Sequence, residues 1–378
     1  MLIAIDANEA NVEKKVGISE YVFQVISQLS RLNNGKDKFT IYLKDEPGSS
    51  FPKASNSWRY KVFGPKKFWT QFALPANLFF KKDRPDVFFT PGHYAPRFSP
   101  VPRVVSIMDL AFFHYPDYFT KKDLTQLHSW TKYSVQKAKA IITISEATKG
   151  DIINLYGISE SKIHVIYPGI KSAVALTPHV YPMQELQTKY TISDNFLLFV
   201  GTLQPRKNIV RLIEAFAQII KKDGPETSSL QLVVVGKKGW KYEEILAAPE
   251  KYGVTDMVKF LDFVNDEDLQ MLYQNAQCFV FPSLYEGFGL PVLEAMKAGC
   301  PVITSNVSSM PEAGGDAALY VDPESASDIA SKIEVVLTDK KFRSEMISKG
   351  KDQLKKFSWE KAAKETLDVL QEVAKERK

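Results

Sequence analysis

Cysteine is almost absent from this sequence: two of 378 residues, Cys278 and Cys300, each inside an apolar run. Two such thiols exclude a disulfide framework and read as buried and reduced, which suits a reducing cytosol. Histidine is nearly as scarce, at five, and no His and Cys cluster has the spacing of a metal site. No apolar run approaches the roughly 20 residues needed to span a bilayer. The opening "MLIAIDANEA" is apolar for only five residues before Asp6, which predicts a strand and not a signal peptide. No repeat shorter than a domain is visible, and nothing resembles a nucleic-acid motif.

What is present is ordinary globular material, 44% hydrophobic and 25% charged, in a chain long enough for two cores. Its net charge of +5 is unevenly spread. Residues 1–180 hold 24 Lys and Arg against 15 Asp and Glu, a net of +9, and the remainder 25 against 29, a net of −4. A basic first half suits anionic lipid or a phosphorylated acceptor. "KKFWTQFALPANLFFKK", Lys66 to Lys82, sets aromatics between paired lysines and so raises peripheral membrane contact. Trp69, Phe72, Leu78 and Phe79 recur there at near-helical spacing, which predicts that most of them are core.

Short runs rich in Val, Ile and Phe alternate with helical patterns. "LIAID", "FTIYL", "YKVF", "DVFFT", "RVVSIM", "AIITIS" and "IHVIY" predict strands. Ile18 to Leu32, Asp123 to Ala138 and Glu146 to Tyr156 predict helices, the last capped by Ser145. Tyr167 to Gln184, with three prolines and no period, reads as a linker. The pattern then restarts with "FLLFVG", "LQLVVVG", "VKFL", "CFVFP" and "PVITS". It closes on helices at Ser325 to Leu337, Lys341 to Phe357 and Trp359 to Lys375. The fold class is therefore α/β, with two tandem doubly wound Rossmann-like domains facing across a cleft. Ligands in such sheets sit beyond the C-terminal strand ends.

Two stretches carry chemistry. In "FVGTLQPRKNIVRLIEAF", Gly201 closes a strand and Arg206 and Lys207 stand at the start of the next helix, where cations and helix amides together favour an anion. The alternative is a pair of solvated surface charges. In "PSLYEGFGLPVLEAMKAGCPVITS", Pro291 suits the first turn of a helix. The amides of Phe288, Gly289 and Leu290 then point out of its start, and the glycines admit a close anion such as a diphosphate. Glu286 and Glu294 bracket that position, with reach to hydroxyls on either side. A nucleotide sugar has this layout, ribose on one side and sugar on the other. The bland reading is a helix-dipole carboxylate and a chance loop glutamate.

Glu286–Gly–Phe–Gly–Leu–Pro–Val–Leu–Glu294 resembles the E-x7-E motif of retaining glycosyltransferases of family 4, and "GTLQPRKN" is similar to their phosphate clamp. "KKVGISEY", with Gly17, resembles their glycine loop. "VVVGKKGW", with Gly236, and "FVNDEDL", with Val264, fall in the same register, so the resemblance covers the whole chain. It implies the GT-B fold, with an acceptor domain at 1–175 and a donor domain at 185–356. The helix 359–378 would cross back to the first domain. It implies catalytic roles for Arg206, Lys207 and Glu286, and donor binding by Gly17, Gly201, Gly236, Val264, Leu284, Phe288, Gly289, Leu290 and Glu294. No metal or other cofactor is implied. The donor would be GDP-mannose or, second, a UDP-hexose, and the acceptor a glycan or lipid-linked glycan of surface polysaccharide synthesis. The resemblance places the protein in the cytoplasm, with peripheral contact at the inner face of the membrane.

One position departs from the family. Where many relatives carry histidine before the aspartate of "VVSIMDL", this chain has Met108. The front-face mechanism ascribed to these enzymes lets the leaving phosphate take the acceptor proton, so no side-chain base is demanded. Asp109 and His114 stand as acceptor-side candidates. Asp266 and Asp268 have the D-x-D spacing of metal ligands, but at a helix start they read as caps. Two other functions share the plan: a nucleotide-sugar 2-epimerase, and a sugar-nucleotide-binding protein without catalysis.

Overall fold

A computed structural model describes residues 1–80, 84–92, 94–170, 183–222, 224, 227 and 229–376. The chain divides into two compact units, Met1–Gly169 with Phe357–Lys378, and Ile170–Lys356. Most of the linker expected at Tyr167 to Gln184 lies outside the described residues.

The first unit is built on β1 (Leu2–Asp6), β2 (Lys38–Leu43), β3 (Trp58–Val62), β4 (Val87–Thr90), β5 (Arg103–Ile107), β6 (Ala140–Thr143) and β7 (Ile163–Val165). They form one sheet in the order β3-β2-β1-β4-β5-β6-β7, and every pair is parallel. Parallel strands covered by helices on both faces must be apolar throughout. Ile3, Ala4, Ile5, Phe88, Phe89, Val104 and Val105 are accordingly inaccessible to solvent. Val105, Ile107 and Ile141 pack beneath Val135 and Ile152 of the helices Lys121–Lys137 and Glu146–Tyr156. The expected cap of the second is present, Ser145 Oγ accepting from Thr148 N at 3.1 Å. The final helix, Trp359–Lys375, packs on Ile18–Leu32 of the same unit, and its Trp359 ring meets Tyr21 edge-on at 5.9 Å.

The second unit repeats the plan with β8 (Phe196–Val200), β9 (Gln231–Val235), β10 (Val258–Leu261), β11 (Cys278–Phe281), β12 (Val302–Ser305) and β13 (Ala318–Val321), ordered β10-β9-β8-β11-β12-β13 and parallel throughout. Both cysteines are buried and unpaired, as expected. The last strand is absent from the sequence reading. Its four residues, ALYV, are all apolar, but so short a run cannot be told from part of a helix by periodicity alone; in the fold three of the four are only partly buried. In both sheets strand order reverses between adjacent strands, β1 and β4 in one, β8 and β11 in the other. Loops leaving such a pair at their C-terminal ends diverge to opposite faces and leave a crevice for a ligand.

Candidate functional site

The loops after β8 and β11 meet. After β8 the chain passes Gly201 and reaches a single 3-10 turn, Pro205–Lys207, before the helix Ile209–Ile220 begins. Arg206 and Lys207 thus stand in a turn immediately before the helix. The cause is Asn208, left-handed at φ 60°, whose amide donates to Pro282 O at 2.9 Å and Pro323 O at 2.7 Å. That tie fixes the turn carrying the two cations to the loops that leave β11 and β13. Gly236, after β9, allows the approach on the other side, since a Cβ there would stand 1.9 Å from Gly201 O.

The cations converge on one carboxylate. Arg206 Nη1 donates to Glu286 Oε2 at 2.9 Å and Lys207 Nζ to Oε1 at 2.5 Å. Arg206 also donates to Tyr285 O, and Lys207 lies 5.2 Å from the Phe281 ring centroid. Serines hold the carboxylate in place. Ser283 Oγ donates to Glu286 Oε1 at 2.6 Å, Ser308 Oγ accepts from Glu286 N at 3.0 Å, and Ser309 Oγ donates to Glu286 O at 2.8 Å. Burial alone would raise the Glu286 pKa; the charges of Arg206 and Lys207, with the bonds from Lys207 and Ser283, outweigh it and lower it to about 2. Glu286 is therefore an anion at any physiological pH. It already occupies the cations expected to clamp a phosphate.

Leu284 N donates to Arg206 O at 2.9 Å, which joins the two loops by backbone. Beyond them Phe288 is buried and Gly289 caps the helix Leu290–Lys297 at φ 101°, with Pro291 in its first turn. Any other residue at Gly289 would be strained, because φ 101° is a backbone conformation that L side chains rarely adopt, and its Cβ would also push aside the Met310 methyl, 2.4 Å away. Glu294 stands one turn along, half-buried, and accepts from Tyr273 Oη at 3.3 Å. Five residues here escaped the sequence reading: Asn208, Tyr273, Ser283, Ser308 and Ser309. Ser283 alone left a signal, since Ser-x-x-Glu is a known polar pairing interval; the others pair across more than twenty residues.

The remaining candidates stand on other loops of the second unit and in the first unit. Val264 is buried just before Asn265, which caps the helix Asp266–Asn275 by accepting from Asp268 N at 2.8 Å. Asp268 is taken by Lys189 Nζ and Tyr190 Oη, both at 2.5 Å, and Asp266 is exposed. In the first unit Gly17 precedes the helix Ile18–Leu32. Asp109 Oδ1 accepts from Ala111 N at 3.0 Å, the strand-end cap, and His114 Nε2 lies 3.0 Å from Asp151 Oδ2. Met108 is buried. Among the described residues no group of three or more His, Cys, Asp or Glu could hold a metal.

The aromatic stretch is half corrected. Trp69 and Leu78 are core, but Phe72 is 67% and Phe79 40% exposed, as are Phe68 (58%) and Phe80 (88%). The reason is a break in period: Trp69–Ala73 is a π-helix and only Leu74–Phe80 is α. The angular offset between the two turns some ring positions outward. Lys81 and Lys82 of the stretch lie outside the described residues.

A family model described as Glycosyl transferases group 1 matches residues 184–353, and one described as Glycosyltransferase Family 4 matches residues 17–173. The chain is 32% identical over 272 residues to O-antigen chain mannosyltransferase B of Escherichia coli, covering 70% of this chain and 69% of that protein. It is 34% identical over 232 residues to the serotype-specific mannosyltransferase WbdA of Escherichia coli, covering 60% of this chain but only 28% of that longer protein. Among solved structures, WaaG, a glycosyltransferase involved in lipopolysaccharide biosynthesis, superposes with a TM-score of 0.73 at 17% identity, over 97% of this chain and 99% of that one. Anabaena Alr3699/HepE in complex with UDP and glucose gives 0.73 at 18%, over 98% and 100%. At these identities the likeness is one of fold.

Proposed function

Because the chain belongs to glycosyltransferase family 4 and has the two Rossmann-like domains of the GT-B fold, we propose that it is a retaining, metal-independent mannosyltransferase of polysaccharide synthesis. The donor is a nucleoside-diphosphate sugar, GDP-mannose first and a UDP-hexose second; the acceptor is a glycan or a lipid-linked glycan. The observation that carries this reading is the cluster of Arg206, Lys207 and Glu286 beside the strand pair where ligands of open α/β sheets sit. The mannose preference is supported by the names of the relatives.

In this reading the donor's diphosphate shares Arg206 and Lys207 with Glu286. As the glycosidic bond breaks, negative charge grows on the leaving diphosphate, and two preorganised cations stabilise it more than the ground state. Glu286, anionic and fixed by Ser283, orients the transferred sugar through its hydroxyls. Glu294 holds the ribose. A screen of nucleotide sugars by release of nucleoside diphosphate tests this, with the product's anomeric configuration read by NMR. Release from GDP-mannose, an α product, and activity unchanged by EDTA are expected. No release from any donor, an inverted anomer, or chelator-sensitive activity restored by magnesium or manganese contradicts it.

The first unit also meets anionic lipid in this reading. Phe68, Phe72, Phe79 and Phe80 are exposed beside Lys66 and Lys67, the composition of an interfacial segment. Among the described residues no helix is long and apolar enough to cross a membrane. The protein is expected to sediment with phosphatidylglycerol vesicles and the Phe72→Ser/Phe80→Ser variant to remain in the supernatant. Equal sedimentation of both, or of neither, contradicts the contact.

A further inference from the structure

One buried side chain beside the cation cluster has an unmet polar atom. Gln204 is 6% exposed, and among the described residues its carboxamide Oε1 accepts no hydrogen bond. Buried amide oxygens are almost always paired, because an unmet acceptor keeps the whole cost of leaving water. The backbone of the same residue is fully engaged: Gln204 O accepts from Lys207 N at 3.0 Å and closes the turn that carries Arg206 and Lys207.

The neighbouring chain fixes where that amide stands. Beyond β8, Leu203 pairs in parallel with Lys238 beyond β9; Leu203 N donates to Lys237 O and Gly239 N to Leu203 O, both at 2.9 Å. In an extended segment alternate side chains face opposite ways. Leu203 is buried in the core and Thr202 is exposed, so Gln204 shares the side of Thr202. There Gly239 brings the β9 loop close: a Cβ on it would stand 2.9 Å from Thr202 Cγ2 and 3.5 Å from Gln204 Cβ. In the sheet β9 and β11 lie on opposite sides of β8. Gln204, against the β9 loop, and Glu286, from the β11 loop, therefore flank the cation turn from opposite sides.

The chemistry of the unmet atom selects its partner. A carboxamide oxygen needs an N–H or O–H, and an ionised diphosphate offers acceptors only. In the proposed reading the transferred sugar lies on the Glu286 side, so a diphosphate held at the cations turns its nucleoside towards Gln204. A nucleoside carries the required donors, as ribose hydroxyls and as the ring N–H of guanine or uracil.

We propose that Gln204 is a further donor-binding residue, its carboxamide oxygen accepting from the nucleoside of the nucleotide sugar. The proposal rests on the reading of Arg206, Lys207 and Glu286 as the donor site, and Arg206→Ala is the control for that reading. GDP, UDP, the dideoxyribose analogue of each and pyrophosphate are titrated by calorimetry into the full chain and its variants. Gln204→Met keeps the length of the side chain and removes the oxygen; Gln204→Ala guards against a thioether that does not fit. Each is expected to weaken the nucleoside diphosphate about three- to tenfold, the range of one neutral hydrogen bond, and to leave pyrophosphate unchanged. Unliganded Gln204→Met is expected to unfold at the wild-type temperature or above it, since it buries no unmet acceptor. A glutamine that only supports the fold gives the opposite pair, a lower midpoint with unchanged affinity, and that result overturns the proposal. Equal losses for pyrophosphate overturn it too, because the contact is then to the phosphates. The dideoxy arm identifies the partner. Equal binding of the analogue by wild type and variant marks a ribose hydroxyl, and a deficit that persists marks a base N–H. Affinity lost in Arg206→Ala but unchanged in both Gln204 variants sinks this proposal alone. A wild type that binds neither nucleoside diphosphate sinks the donor-site reading, and the proposal with it.

Discussion

Glu286→Gln is expected to lower kcat by about 10²–10³ while GDP binds at least as tightly as to the wild type. The two halves of that result have one cause. In the proposed reading the carboxylate orients the sugar, so losing its charge raises the barrier. It pairs with Arg206 and Lys207, the cations proposed to hold the diphosphate, so losing its charge frees them. The unliganded variant should be less stable, because two largely buried cations lose their counter-ion, a change that typically costs about 3–5 kcal/mol; GDP should restore part of it. The acid response should change as well. A carboxyl lowered from 4.5 to about 2 in the fold contributes stability that is complete above pH 4.5 and is lost as pH falls towards 2. The wild type should show that slope and Glu286→Gln should not. Glu294→Gln is expected to fail differently: ribose contacts are similar in ground and transition states, so donor KM should rise on the order of tenfold with kcat retained. Steady-state kinetics with calorimetry of GDP separate the two. The reverse pattern means that the donor lies the other way round.

Arg206→Ala and Lys207→Ala are each expected to cost about 2.7–4 kcal/mol of transition-state stabilisation, or about 10²–10³ in kcat. The double variant should fall well short of the product of the two, because both side chains act through one carboxylate and one phosphate. Arg206→Lys should recover little, since the bonds to Glu286 and Tyr285 O both leave Nη1 at the tip of a planar guanidinium, a reach and orientation that an ammonium on a flexible stem does not reproduce. Unfolding curves measured alongside keep loss of fold apart from loss of chemistry. Near-normal turnover in both alanine variants places the diphosphate elsewhere.

Most of the architecture was legible in the sequence because parallel strands buried on both faces leave unbroken apolar runs. "LIAID" and "VKFL" coincide with β1 and β10, and the helices Ile18–Leu32 and Trp359–Lys375 run to the residue as read. Failures came where periodicity carries no signal: the half-exposed β13, and the π-to-α transition at Ala73 that turns Phe72 and Phe79 outward. At the site, residue types and order were readable but their mutual state was not. Nothing in "GTLQPRKN" or "SLYEGFG" says that Glu286 pairs with both cations, because that contact spans 79 and 80 residues and depends on β8 lying beside β11. The serines that fix Glu286 come partly from the turn after β12 and were invisible for the same reason.

The most direct test of the donor site is a calorimetric titration of GDP, with UDP in parallel, into the wild type, Arg206→Ala and Glu286→Gln. If Arg206 and Lys207 hold the diphosphate and Glu286 shares them, GDP binds the wild type, binds Glu286→Gln as tightly or more so, and loses on the order of a hundredfold in Arg206→Ala. Binding that is the same in all three, or that fails in Glu286→Gln while surviving in Arg206→Ala, contradicts the assignment of this cluster as the donor site.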